Sequence, residues 1–208
     1  MIKALRSFLR MCDLHHMSLK PPKCRIGFPT AEVCGYQITS GRIGIAKKNL
    51  QPIIELAPPT DVPSLRRVLG LFVQSKDFIK DYSVLAKPLS RLTGKVPWQW
   101  GVVEQKSFNA IRTAVVKACN LYAPNYKLPF FIDCDASDEG MGAILYQLSG
   151  ATKPEAKRII RYLSSAFDAA MKARPVFYRE ARSVIWALAK SEFYLRCSPF
   201  QTVVYSDH

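Results

Sequence analysis

Acidic residues are scarce in this chain, and it lacks paired cysteines, long apolar runs and repeats. Only 16 Asp and Glu stand against 30 Lys and Arg in 208 residues, a formal charge of +14. That surplus points to an anionic partner, nucleic acid before membrane. No stretch approaches the ~18 apolar residues of a membrane span, so no membrane partner is expected. The basic, amphipathic start MIKALRSFLRMC has neither the continuous core nor the cleavage site of a signal peptide. Six cysteines, at 12, 24, 34, 119, 134 and 197, form no CxxC pair. Buried thiols in a reducing compartment, cytoplasm or nucleus, are therefore expected rather than a disulfide framework. Cys12, His15, His16 and Cys24 fit no zinc-finger spacing. Disorder is excluded by a hydrophobic content of 49%.

The charge is uneven. Residues 1–124 carry 19 Lys and Arg against 7 Asp and Glu, whereas residues 125–208 carry 11 against 9. The pattern changes at the same place. Residues 2–17 space their apolar side chains as a helix does, and a strand over 33–38 with a turn at Ser40-Gly41 predicts a hairpin. Helical stripes follow: 47–56, then one begun by Thr60 or Asp61 and Pro63, then Phe78, Ile79, Tyr82 and Leu85 before Pro88, then 103–120. After Pro124 the period becomes two, with strands over 129–134, 141–147 and 158–163. A long helix over 176–195 and a last strand over 202–206 complete the reading.

The most informative stretch is FFIDCDASDEGMGAILYQL, 130–148. It reads as a strand ending in carboxylates, a turn through Ser137-Asp138-Glu139-Gly140, and a second strand opened by small residues. An acid at the end of a buried strand is costly unless something pairs with it. Two other acids leave apolar elements. Glu180 lies within ~60° of Val176, Phe177, Val184 and Ala187 on a helical wheel, and Asp207 follows QTVVYS. Asp135, Glu180 and Asp207 form a carboxylate set of the kind that two divalent ions require for phosphodiester cleavage. Each acid also has a separate explanation: Asp135 in a turn, Glu180 in a surface ion pair, Asp207 as a cap. Asp133 shares a strand face with Asp135, as a rival ligand or as a salt-bridge partner.

LKPPKC (19–24), VCGYQITSGRIGI (33–45), LRRVLGLFVQSKDFIKDYSVLAKPLSRL (65–92), WQWGVVEQKSFNAIRTAV (98–115), the 130–147 stretch, YREARSVIWAL (178–188) and YSDH (205–208) occur in this order. Together they resemble the Pol polyproteins of gypsy-like LTR retrotransposons, from the end of the reverse transcriptase palm into the ribonuclease H domain. The resemblance implies an α+β chain: a palm remnant over 1–46, thumb and connection helices over 47–124, and a ribonuclease H-like mixed sheet with a packed helix over 125–208. It implies that Asp135, Glu180 and Asp207 bind Mg²⁺ or Mn²⁺, two ions in a complete site, and act on an RNA–DNA hybrid or other duplex. It assigns Gly35 and Tyr36 to a hairpin that grips the primer. The polymerase aspartates have no counterpart in residues 1–60, and Gln74-Ser75-Lys76 replaces the usual aromatic pair of the thumb motif. The family's remaining helices, last strand and fourth ligand would follow His208, so the chain reads as a fragment. A non-catalytic remnant that binds nucleic acid is the alternative implied, and uncovered apolar helix faces would make it poorly soluble.

Overall fold

A computed structural model describes residues 2–118, 120–149 and 156–206. The protein is α+β. Helix α1 (Ile2–Leu14) leads to a meander of β1 (Thr30–Val33), β2 (Tyr36–Thr39) and β3 (Arg42–Ile45). The stretch expected to be one strand is divided because Cys34 and Gly35 both have positive φ, 50° and 86°. Two such residues make the tight turn whose twist suits a hairpin.

Helices α2 (Lys47–Ile54), α3 (Val62–Val73), α4 (Tyr82–Arg91) and α5 (Val102–Lys117) follow. Asp61 starts α3 with a capping box: its carboxylate accepts from the Ser64 N–H at 2.7 Å, and the Ser64 hydroxyl accepts from the Asp61 N–H at 3.1 Å. Phe78 and Ile79 precede α4 rather than belonging to it, because Asp81 breaks the run at φ 56°. The helix continues through Pro88, which forfeits one N–H bond. These helices close around Leu65, Phe72, Leu89, Phe108 and Ile111, and Trp100 packs edge-on against Phe108.

The short β4 (Leu121–Tyr122) joins the first sheet, order β1-β2-β3-β4, and touches the second. The second sheet has the order β7-β6-β5-β8: β5 (Phe131–Ala136), β6 (Gly140–Leu148), β7 (Lys157–Ala166) and β8 (Val203–Tyr205). It is mixed, with β8 parallel to β5 and the other pairs antiparallel. Between β7 and β8 come the short α6 (Ala169–Lys172) and the long α7 (Val176–Leu195).

Helix α7 packs on β5 and β6, where Ala187 meets the core made by Phe130, Ile132, Cys134 and Leu145. The residues it buries are Arg179, Ser183, Ala187 and Ser191, spaced by four. The expected apolar stripe is therefore covered only in part: Phe177 remains 71% exposed and Val176 half exposed. The apolar stripe of α1 is exposed too, with only Cys12 buried. Cys12 and Cys134 are the buried thiols among the described residues, and Cys24, Cys34 and Cys197 are exposed. No helix among the described residues is long and apolar enough to cross a membrane.

The second sheet is held between two helical layers, because α4 packs against β7. Ser83 and Ser164 interlock there: the Ser83 N–H donates to the Ser164 hydroxyl at 2.9 Å, and the Ser83 hydroxyl donates to the Ser164 carbonyl at 2.8 Å. Lys87 donates to the Phe167 carbonyl at 2.9 Å, and Arg161 pairs with Asp77 at 3.1 Å.

Candidate active site

Strand β5 sorts its side chains by period two. Ile132 and Cys134 turn into the core, while Asp133 is half-buried and Asp135 is exposed. The two acids have different fates. Asp133 accepts a hydrogen bond from the Tyr146 hydroxyl at 2.8 Å and pairs with Lys157. Burial, followed by that hydrogen bond, raises the pKa of Tyr146, so its hydroxyl stays a donor. Lys157 also lies over the Tyr146 ring, 4.5 Å from its centroid. Asp133 is therefore the salt-bridge partner of the two alternatives. The Asp135 carboxylate, by contrast, has no hydrogen bond or ion pair among the described residues.

Asp135 opens onto a cavity of about 380 Å³ that Lys80, Asp81, Asp133, Gly142 and Tyr205 also line. Asp81 comes from the turn before α4, where its left-handed backbone suits a short polar side chain. Its Oδ1 stands 3.0 Å from where a Cβ on Gly142 would be, so the glycine leaves room for the carboxylate. Nothing in the sequence marks Asp81, which is remote along the chain from the strands it meets. Beneath the cavity, burial and then the charge of Asp133 push the Cys134 thiol up to about 11. The thiol is thus protonated and unreactive at neutral pH.

Glu180 lies in the first turns of α7, with its Oε2 enclosed. The neighbouring Arg179 sets where those turns sit. Its buried guanidinium donates to Asp138 at 2.9 Å, in the turn that follows Asp135. The start of α7 is thereby tied to the carboxylate end of β5. Arg179 was not singled out in the sequence, and its one signal is its place beside Glu180. The third expected acid, Asp207, lies outside the described residues. Among the described residues, no group of three or more His, Cys, Asp and Glu side chains converges to hold a metal ion. Asp135 and Glu180 supply the hard oxygen donors that Mg²⁺ and Mn²⁺ prefer, so the donor chemistry fits such an ion.

Gly35 and Tyr36 occupy the β1–β2 turn and the start of β2. A Cβ on Gly35 would meet Nδ2 of Asn49 at 2.3 Å, and that amide donates to the Gly35 carbonyl at 3.1 Å. The Tyr36 ring stacks on Phe78 at 5.8 Å, and its hydroxyl donates to the Gln74 carbonyl at 2.8 Å. Both residues thus anchor the hairpin to the helical layer. Burial, followed by the charge of Asp77, raises the pKa of Tyr36, which keeps that donor protonated.

Known proteins resemble this chain in sequence and in fold. Residues 100–202 match the family model described as the RNase H-like domain found in reverse transcriptase. Over 99% of its length the chain is 29% identical to the retrovirus-related Pol polyprotein from transposon opus of Drosophila melanogaster, of which it spans 21%. It is 24% identical to the Pol polyprotein from transposon gypsy of the same species, covering 93% of this chain and 19% of the relative. The enzymatic polyprotein of Cauliflower mosaic virus is 26% identical over 96% of this chain and 30% of its own length. The chain thus spans about a fifth to a third of these relatives. The foamy viral protease-reverse transcriptase shares the fold. Its structure in complex with RNA/DNA hybrid gives a TM-score of 0.75 at 21% identity, over 86% of this chain and 24% of that one. Its complex with dsDNA gives 0.75 at 21% identity, over 87% and 37%.

Proposed function

We propose that this chain, which carries the RNase H-like domain found in reverse transcriptase and is related to retrotransposon Pol polyproteins, cuts the RNA strand of RNA–DNA hybrids. Asp135, Glu180 and Asp207 would hold Mg²⁺ or Mn²⁺ for this reaction. When bound, the ions activate a water and stabilise the departing oxygen. The observation that carries the reading is the division of labour on β5. Asp133 is committed to Tyr146 and Lys157, whereas Asp135 is exposed at the cavity without a partner among the described residues. An acid kept available in this way suits ligand duty better than a structural role. Arg179 supports it by fastening the helix that bears Glu180 to the turn beyond Asp135. Gly35 and Tyr36 would serve the duplex by holding the hairpin in place, since the Tyr36 ring is stacked on Phe78.

The test is cleavage of a hybrid labelled on its RNA strand, with Mg²⁺ or Mn²⁺. The chain should cut it, and Asp135→Asn should slow cutting by about 100-fold or more, at least the loss seen when a ligand's supporting partner is removed. Equal rates for the two proteins would refute the assignment. A second reading, duplex binding without chemistry, is favoured by the basic surplus of residues 1–124. Salt-sensitive binding of the hybrid without metal-dependent cleavage would select it.

A further inference from the structure

Away from Asp135, where the two sheets meet, lies a second cavity of about 410 Å³, lined by Ser40, Arg42, Tyr122, Asn125, Tyr126 and Arg158 among others. Its two arginines come from different sheets. Arg42 is on β3 and Arg158 on β7, and β4 bridges them by pairing with β3 and touching β7. Both guanidinium groups lie over the same ring, that of Tyr122, at 5.0 Å and 5.7 Å from its centroid. Arg42 also donates to the Tyr122 hydroxyl at 3.1 Å.

Two cations over one ring stand within about a Debye length of each other, ~10 Å at 0.1 M salt, so they repel. Relief would ordinarily come from a carboxylate. Yet among the described residues no acidic side chain lines this cavity and neither arginine has an ion pair. Elsewhere two of the less exposed arginines are paired, Arg161 with Asp77 and Arg179 with Asp138, while the half-buried Arg112 donates instead to the Leu56 carbonyl and the Asn109 amide oxygen. The lining is instead rich in neutral polar groups: the Ser40 and Tyr126 hydroxyls and the Asn125 amide.

We infer that the Arg42–Tyr122–Arg158 cleft binds a phosphodiester of the nucleic-acid duplex, clamping the strand at the seam between the two sheets. Guanidinium forks match phosphate oxygens, and such contacts position a duplex without reading its sequence. The site rests on the reading that the chain engages a duplex, but it requires no cleavage and no metal.

The experiment measures hybrid and dsDNA affinity against salt for the parent, R42Q/R158Q and R42K/R158K, without divalent ions. Each phosphate contact adds about 0.9 to the log–log salt slope on B-DNA, so losing the one phosphodiester that both arginines hold should lower the slope of R42Q/R158Q by about 0.9. Between 50 and 200 mM salt the parent should then lose about 3.5-fold more affinity than R42Q/R158Q. R42K/R158K keeps both charges and should retain the slope, and all three proteins should melt alike. Inorganic phosphate, added at constant ionic strength, should compete weakly. An R42Q/R158Q slope equal to the parent's, or a fall shared in full by R42K/R158K, overturns the inference. So does saturation of the cleft by inorganic phosphate without displacement of the duplex, or the absence of salt-sensitive duplex binding by the parent. Failure of Asp135→Asn to affect cleavage would refute the nuclease reading alone.

Discussion

Replacing Gly140 by alanine puts a methyl group where other atoms already stand. Its Cβ would lie 2.6 Å from the Ser165 carbonyl oxygen, 2.9 Å from Cγ2 of Val84 and 3.1 Å from Cα of Ala166. Two of these atoms are backbone of β7. They are held by the Gly140–Ala166 register and by the Phe167 N–H, which donates to the Glu139 carbonyl at 2.9 Å. Relief therefore requires β7 to leave the hairpin or α4 to leave the sheet. Forced overpacking of this kind costs about 1–3 kcal/mol. For a chain of this size, each kcal/mol lowers Tm by about 2–4 °C, so a fall of about 2–12 °C is expected.

Gly142→Ala is the matched control. Its nearest neighbour is the end of the Asp81 side chain at 3.0 Å, which can swing away, and the nearest backbone atom is 3.8 Å distant. Its loss should be less than half that of Gly140→Ala. Adding Val84→Ala to Gly140→Ala removes one of the close contacts and leaves the carbonyl, so the double variant should not recover the parent's stability. Urea unfolding followed by circular dichroism measures all three. Equal midpoints for Gly140→Ala and Gly142→Ala would refute the packing account.

Two further outcomes follow from the hydrogen bonds. Gln147 is buried; its amide nitrogen donates to the Asn125 and Leu128 carbonyls at 2.9 and 3.0 Å, and its oxygen accepts from the Asn125 N–H at 2.9 Å. Gln147→Leu strands those backbone groups and should cost about 1–3 kcal/mol in urea unfolding; an unchanged midpoint would contradict the network. Hydrogen bonds from Lys172 and then Lys87 hold the Glu139 carboxyl below its ordinary 4.5, and the Glu139 bond raises Lys172 above 10.5. The depressed carboxyl contributes stability above pH 4.5 that is lost as pH falls through its folded value. The raised ammonium contributes stability below pH 10.5 that is lost as pH rises through its folded value. The Tm advantage of the parent over Glu139→Gln should thus be present at neutral pH, close towards acid, and shrink with added salt. An advantage independent of pH would show that the pair does not titrate as described.

Much of the local structure was legible in the sequence. Period two along Phe130–Cys134, the cap at Asp61, the turn at Ser137–Gly140 and the span of α7 depend on neighbouring residues, so local chemistry suffices. The strand read through Cys34-Gly35 failed because its turn needs positive φ at a cysteine as well as at the glycine. On α7 the wheel placed Glu180 among Val176, Phe177, Val184 and Ala187. The helix instead buries a line through Arg179, Ser183, Ala187 and Ser191.

Periodicity tells which side chains share a face, but only a packing partner decides which face is covered. The carboxylate-bearing strand, its turn and the family resemblance were determined by the sequence alone, because each is written in contiguous residues. The tertiary structure decided that Asp133 is paired and Asp135 is not, since the groups that engage Asp133, Tyr146 and Lys157, arrive from β6 and β7. It also brought Asp81 to the cavity and Arg42 to Arg158, pairs whose members lie far apart in sequence. Such encounters depend on how helices and sheets dock, which no local pattern encodes.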